Sequence, residues 1–211
     1  MIRDVRICFV GDSLVAGVGD PQCLGWAGRL VQRAIAAGQP LTHYNLGVRG
    51  QTSADIAVRW EAECAQRLSA DIEGLDARVV FSFGVNDAAV LDGRTRVPEQ
   101  DSVANLTAML RRAADRGWSA LVVAPPPVSD DEHNRRSAAL DAQFTEICAA
   151  QGIPYVRVHQ PLRENTAWMR TVAEGDGFHP AAAGYEEFSA LIVPNWLLWL
   201  AEPGSALPVI R

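Results

Sequence analysis

The chain of 211 residues contains no lysine; all 19 of its basic residues are arginine. That absence excludes the phosphate-binding loop that ends in Gly-Lys-Ser/Thr and every mechanism that requires a lysine, Schiff-base formation on one included. Cysteine is scarce and scattered: Cys8, Cys23, Cys64 and Cys148 form no C-x-x-C pair, which argues against a disulfide framework and a structural zinc site. Cys8 lies in an apolar run, and Cys64 and Cys148 fall on apolar stripes, so these three read as small core residues, while Cys23 falls in a loop. Long apolar runs are missing too. The stretch LIVPNWLLWL is shorter than the roughly 20 residues of a membrane span and is broken by Pro194. There is no basic run, and the net charge of −6 disfavours nucleic acid and anionic membrane surfaces as partners. No two histidines stand at metal-ligand spacing, so no metal or other cofactor is expected. The first apolar run is not followed by a small-residue cleavage site; it reads as a strand, and a cytoplasmic location is the expectation.

Apolar, β-rich runs alternate with helical patterns from end to end. Strands are predicted at 5–10 (VRICFV), 41–46 (LTHYNL), 77–83 (ARVVFSF), 118–124 (WSALVVA) and 153–158 (IPYVRV). Several are nearly continuous in apolar residues, as strands covered on both faces are. Between them, Trp26, Leu30, Val31, Ala34 and Ile35 form one helical stripe, and Ile56, Trp60, Cys64 and Leu68 a second. Val103, Leu106, Leu110 and Ala113 form a third, and Leu140, Phe144, Ile147 and Cys148 a fourth. A last helix starts after Pro180 and meets Pro194. This alternation implies a parallel sheet with helices on both faces, in a single domain over 1–201 with a loosely attached tail at 202–211. Ligands of such sheets bind outside the carboxyl ends of the strands, so the chemistry belongs in the loops that follow each strand.

Those loops carry Ser13, Gly50, Asn86, Asp176 and His179, the parts of a serine acyl-transfer site. A serine hydroxyl needs a base, and the base needs a third group to fix its tautomer. His179 is the candidate base and Asp176 the candidate third group. Pro180 restricts the backbone of His179 and suits the first position of the final helix. The backbone N–H groups of Ser13 and Gly50 and the side-chain amide of Asn86 are candidate donors to a developing oxyanion.

Taken in order, GDSL at 11–14, NLGVRGQTS around Gly50, GVND around Asn86 and DGFHP around His179 resemble the blocks of the SGNH or GDSL hydrolase family. The resemblance covers most of the domain. It implies a flavodoxin-like three-layer α/β/α sandwich with a five-stranded parallel sheet. Ser13, Gly50, Asn86 and His179 would be the four namesake residues, with Asp176 completing the triad. The G-x-S-x-G elbow of other α/β hydrolases is absent. The loop after the fifth strand departs from the family's usual pattern in beginning with His159.

The implied reaction is hydrolysis of a small-molecule acyl ester, by an esterase or lipase of short-chain preference, through an acyl-enzyme on Ser13. Lysophospholipids, acyl thioesters and acetylated sugars remain alternative substrates. The short-chain expectation rests on a chain with no room for a lid domain and on short connections around the first three motifs. Arg49, Val85, Val128, Trp168, Met169 and Phe178 are the candidate pocket residues, and 162–173 a candidate partial cover. Asp87 is assigned a structural role as a helix cap. Of the other histidines, His43 reads as structural, His133 as solvated at a helix start, and His159 as the rival base. Two other classes compete: a flavodoxin-like binding or receiver module using Asp12 and Asp87, and a metal-dependent hydrolase.

Overall fold

The computed structural model describes residues 3–204. Its main sheet is parallel and five-stranded, built from β1 (Asp4–Gly11), β2 (Thr42–Gly47), β3 (Leu75–Ser82), β6 (Ser119–Val123) and β7 (Tyr155–Val156). The strand order is β2-β1-β3-β6-β7. β1 registers along its whole length with β3, from Asp4 opposite Leu75 to Gly11 opposite Ser82, and pairs on its other edge with β2. Because chain order reverses across β1, the loops after β1 and β3 diverge and leave a crevice at the carboxyl ends of the strands.

The continuous apolar runs have a direct structural cause. Alternate residues of a strand point to opposite faces. Val5, Ile7 and Phe9 of β1, Val80 of β3, and Leu121 and Val123 of β6 enter one core. Cys8 and Val10, Val79 and Phe81, and Ala120 and Val122 enter the other. The first core is closed by α1 (Ser13–Ala16), α2 (Gly25–Ala36), α8 (Thr166–Glu174) and α9 (Ala182–Ala201), with Trp26, Trp168, Phe188 and Trp196 at its centre. The second is closed by α3 (Ser53–Ala65), α5 (Glu99–Asp115) and α6 (Asp131–Ala150), where Trp60 packs edge-on against Phe81 and Trp118. Two short helices, α4 (Val85–Ala88) and α7 (His159–Glu164), lie in the loops after β3 and β7. The three predicted layers are therefore present.

Four details differ from the sequence reading. The predicted strand 153–158 shrinks to Tyr155–Val156 at the sheet edge, where it pairs with β6 alone. An antiparallel hairpin, β4 (Val90–Leu91) with β5 (Arg94–Thr95), follows α4 and was not anticipated. The final helix is capped by Ala181, so Pro180 stands one residue outside it and does not occupy its first position. That helix also passes through Pro194 to Ala201. An interior proline costs about 3 kcal/mol, and the turns beyond it offset this by burying Trp196, Trp199 and Leu200, at roughly 1.5–3 kcal/mol for each large apolar side chain. At the start of the tail, the Glu202 carbonyl accepts hydrogen bonds from Arg3 and Arg78; 205–211, the rest of the proposed loose end, lie outside the described residues. Among the described residues, no helix is long and apolar enough to cross a membrane.

Candidate active site

β1 ends at Gly11, and Asp12 then caps α1 by accepting a 2.9 Å hydrogen bond from the Leu14 N–H. Ser13 is thereby the first residue of α1, at the carboxyl edge of the sheet. The α1 turn is tied down by Asn45 of β2, whose amide donates to the Val15 carbonyl at 2.7 Å. Burial raises the Asp12 carboxyl to about 7, against the Leu14 hydrogen bond and with help from the neighbouring charge of Asp87.

The loop DGFHP brings His179, the candidate base, to Ser13. One oxygen of Asp176 accepts from the backbone N–H groups of Phe178 and His179 at 3.0 and 2.9 Å, which folds the segment into a tight turn. Its other oxygen lies 2.6 Å from His179 Nδ1, and His179 Nε2 lies 2.7 Å from Ser13 Oγ. Partial burial pushes the Asp176 carboxyl up, but the His179 ring and the two backbone donors outweigh that and hold it at about 2. At neutral pH the carboxylate is therefore ionised, and it fixes which ring nitrogen faces the serine. The turn is anchored from the loop after β6: Ser129 donates to the Gly177 carbonyl through its N–H at 2.9 Å and its hydroxyl at 3.1 Å. Gly177 has φ +83°, and a Cβ there would meet Ser129 Oγ at 2.7 Å, so only glycine allows this approach.

The loops after β2 and β3 meet beside this chain. Asn86 donates from Nδ2 to the Gln51 carbonyl at 2.9 Å and to Asp12 at 3.3 Å. Gly50 sits one residue earlier at φ +79°, with open space where a side chain would project. Arg96, which the sequence reading passed over, reaches both: it donates to Asn86 Oδ1 at 3.3 Å and to the Gly50 carbonyl at 2.9 Å. Asp87 points the other way, accepting from the Ser53 N–H at 2.7 Å and the Ser102 hydroxyl at 2.7 Å. It thus fastens the starts of α3 and α5 to the loop of Asn86 and does not cap its own helix. With Asp12 and Asp87 both committed to these inward contacts, neither is presented as a pair of open carboxylates. Among the described residues, no group of three or more His, Cys, Asp or Glu is placed to hold a metal ion.

The candidate pocket residues divide. Arg49 is exposed, with a guanidinium nitrogen 3.9 Å from Asp176. Phe178 is 38% exposed and stands edge-on to His133. Met169 is partly buried against the core and lines a cavity of about 470 Å³ together with Ser129, Arg163 and Arg170. Val85, Val128 and Trp168, by contrast, are packed inside the first core, and the Trp168 indole donates to the Pro127 carbonyl at 3.0 Å. They present no surface to a substrate; apolar residues next to a loop site turned inward because the sheet face beneath them needed covering. The histidines divide as well. His43 is exposed beside Phe9. His133 is buried and not solvated, and burial, with the charge of Arg136, lowers it to about 4. His159 is buried as well, its Nε2 3.0 Å from Ser137 Oγ, away from Ser13.

The family model of the GDSL-like lipase/acylhydrolase family matches residues 9–187. No curated protein sequence matches the chain. Among solved structures, a lipase/acylhydrolase from Enterococcus faecalis is similar at TM-score 0.68 and 24% identity, over 95% of this chain and 99% of that one. A catalytic mutant of an acetylxylan esterase from Geobacillus stearothermophilus is similar at TM-score 0.73 and 16% identity, over 90% and 93% of the two chains. A GDSL-like lipase from Bacteroides thetaiotaomicron is similar at TM-score 0.65 and 22% identity, over 90% and 87%.

Proposed function

The chain belongs to the GDSL-like lipase/acylhydrolase family, and from this premise we propose that it is an ester hydrolase that works through an acyl-enzyme on Ser13 and prefers short acyl groups. The observation that carries the reading is the unbroken hydrogen-bonded chain Asp176–His179–Ser13, with 2.6 and 2.7 Å links.

Ser13 Oγ attacks the ester carbonyl carbon as its proton passes to His179 Nε2. The carbonyl π electrons move onto oxygen, and the imidazolium is stabilised by the ionised Asp176. The oxyanion is met by the Ser13 N–H, which as the first donor of α1 has no partner within the helix, by the Gly50 N–H and by the Asn86 amide. One hydrogen of Asn86 is committed to Gln51; the other has only the longer 3.3 Å contact to Asp12, and the oxyanion competes for it. Collapse of the intermediate breaks the bond to the leaving alkoxide, which takes the proton from His179. Water then attacks the acyl-enzyme with His179 again as base, releasing the acid and restoring Ser13.

The short-chain preference is supported by the inward packing of Val85, Val128 and Trp168. A long acyl chain binds through about 0.8 kcal/mol per methylene only where apolar surface is open to receive it. The test is kcat/KM for p-nitrophenyl esters of graded length, beside an acetylated xylo-oligosaccharide, a lysophospholipid and an acyl thioester. The expected profile peaks between acetyl and about hexanoyl. A steady rise through ten or more acyl carbons overturns the preference, and faster turnover of one of the other three substrates transfers the assignment to it.

A further inference from the structure

We propose that Arg96 is a positioning residue for the oxyanion donors, acting through Asn86 and Gly50; the inference rests on the acyl-transfer reading of the site.

The hairpin of β4 and β5 turns on Asp92 and Gly93, both at positive φ, the conformation that a two-residue hairpin turn requires. It returns the chain onto α4. There the Arg96 N–H donates to the Ala89 carbonyl at 2.8 Å and the Val97 N–H to the Asp87 carbonyl at 3.3 Å, while the Val97 side chain is buried. The backbone of Arg96 is thus fixed relative to the helix that carries Asn86. From this base the guanidinium fork spans two acceptors on two different loops, Asn86 Oδ1 and the Gly50 carbonyl.

Two consequences follow for the donors. The Asn86 amide is gripped at both ends, its oxygen by Arg96 and its nitrogen by Gln51. A cation on the oxygen draws electron density from the nitrogen and strengthens the N–H as a donor, and it opposes the turn of the amide that would put an acceptor in the donor's place. The Gly50–Gln51 loop, meanwhile, is bound to Asn86 directly and again through Arg96, so the donors from β2 and β3 keep one relative geometry. Lysine, a point charge on a flexible stem, cannot span both acceptors with a rigid planar fork.

The test is a double-mutant cycle on p-nitrophenyl acetate with R96M, R96K, N86A and R96M/N86A, together with thermal melts. N86A is expected to lower kcat about a hundred- to a thousandfold with little change in KM. R96M is expected to lower kcat about tenfold, the exposure of the guanidinium limiting its effect, with KM and Tm nearly unchanged and R96K restoring little. In the N86A background R96M should cost almost nothing more, because the amide it positions is gone. A full tenfold loss persisting there, or a loss confined to KM or to Tm, overturns the role of Arg96 while leaving the acyl-transfer reading intact. An unchanged kcat for N86A removes Asn86 from the oxyanion donors and overturns the role of Arg96 with it, whereas an unchanged kcat for S13A overturns the acyl-transfer reading itself.

Discussion

The molecule holds two serine–histidine contacts of nearly equal length. Ser13 Oγ lies 2.7 Å from His179 Nε2, and Ser137 Oγ lies 3.0 Å from His159 Nε2. Their surroundings separate them. His179 has an ionised carboxylate on its other nitrogen and stands on a loop at the carboxyl edge of the sheet. His159 is buried, and burial lowers its pKa. The carboxylate whose charge acts on it, Asp141, is engaged by the Tyr155 hydroxyl at 2.8 Å and by Arg157 at 3.0 Å. Ser137 lies wholly inside α6, and its hydroxyl also reaches the Asn134 carbonyl at 3.3 Å. A short contact between the right atoms does not by itself make a nucleophile. What distinguishes the first pair is the third group and the access, and both come from the loops.

The largest expected effect separates the two pairs outright. Ser13→Ala and His179→Ala should each lower kcat by roughly 10⁴-fold or more. Ser137→Ala and His159→Gln should leave kcat within about twofold and lower Tm by several degrees, since the first leaves the buried His159 Nε2 unmatched, at about 1–3 kcal/mol, and the second disturbs the packing of a buried ring. Steady-state kinetics beside melting curves reads both, and a catalytic loss at His159 matching that at His179 would erase the distinction.

The carboxylates sharpen it next. Asp176→Asn should lower kcat by about 10³- to 10⁴-fold, because the amide no longer holds the imidazole in the tautomer that accepts from Ser13. Asp141→Asn should act on stability and spare turnover. Near-normal activity in Asp176→Asn would mean that the 2.6 Å contact plays no part in catalysis.

The smallest effect concerns protons. Unfolded, His133 and His159 titrate near 6.5; folded, both are depressed, His133 to about 4. Between those values the unfolded chain binds protons at these rings that the native one refuses, so their contribution to stability falls as pH is lowered through the window. Asp12, raised to about 7, acts in the opposite direction over the same range, so the ring is read by comparison: from pH 7 to pH 5 the urea midpoint of His133→Leu should lose less, or gain more, than that of the native protein. An identical pH dependence in His133→Leu would show that this ring contributes nothing to acid sensitivity.

The same contrast marks what the sequence makes legible. Asp176, His179 and Ser13 could be read because each stands in a loop after a strand, in an order that a parallel sheet converts into proximity. The layers could be read because strands buried on both faces are apolar throughout. The direction of individual side chains was hidden: Val128 and Trp168 look equally suited to a pocket and a core, and only the packing of α8 and α9 on the sheet decides. His133 was misread because its neighbours Asp131, Glu132 and Arg135 are polar, although it faces inward beneath Phe178. The hairpin that delivers Arg96 did leave a signal, Asp92-Gly93 flanked by Val90-Leu91 and Arg94-Thr95, the turn dipeptide of a two-residue β-hairpin. Its strands are too short for periodicity to reveal.

Covalent labelling tests whether Ser13, and not merely a serine beside a histidine, is the nucleophile. An active-site phosphonate reagent is incubated with the native protein, residual esterase activity is followed, and the adduct is located by peptide mass spectrometry. A single adduct on Ser13 is expected, formed in step with the loss of activity, with Ser137 unmodified. Inactivation with the adduct on any other residue, or an active enzyme that takes up no label, would contradict it.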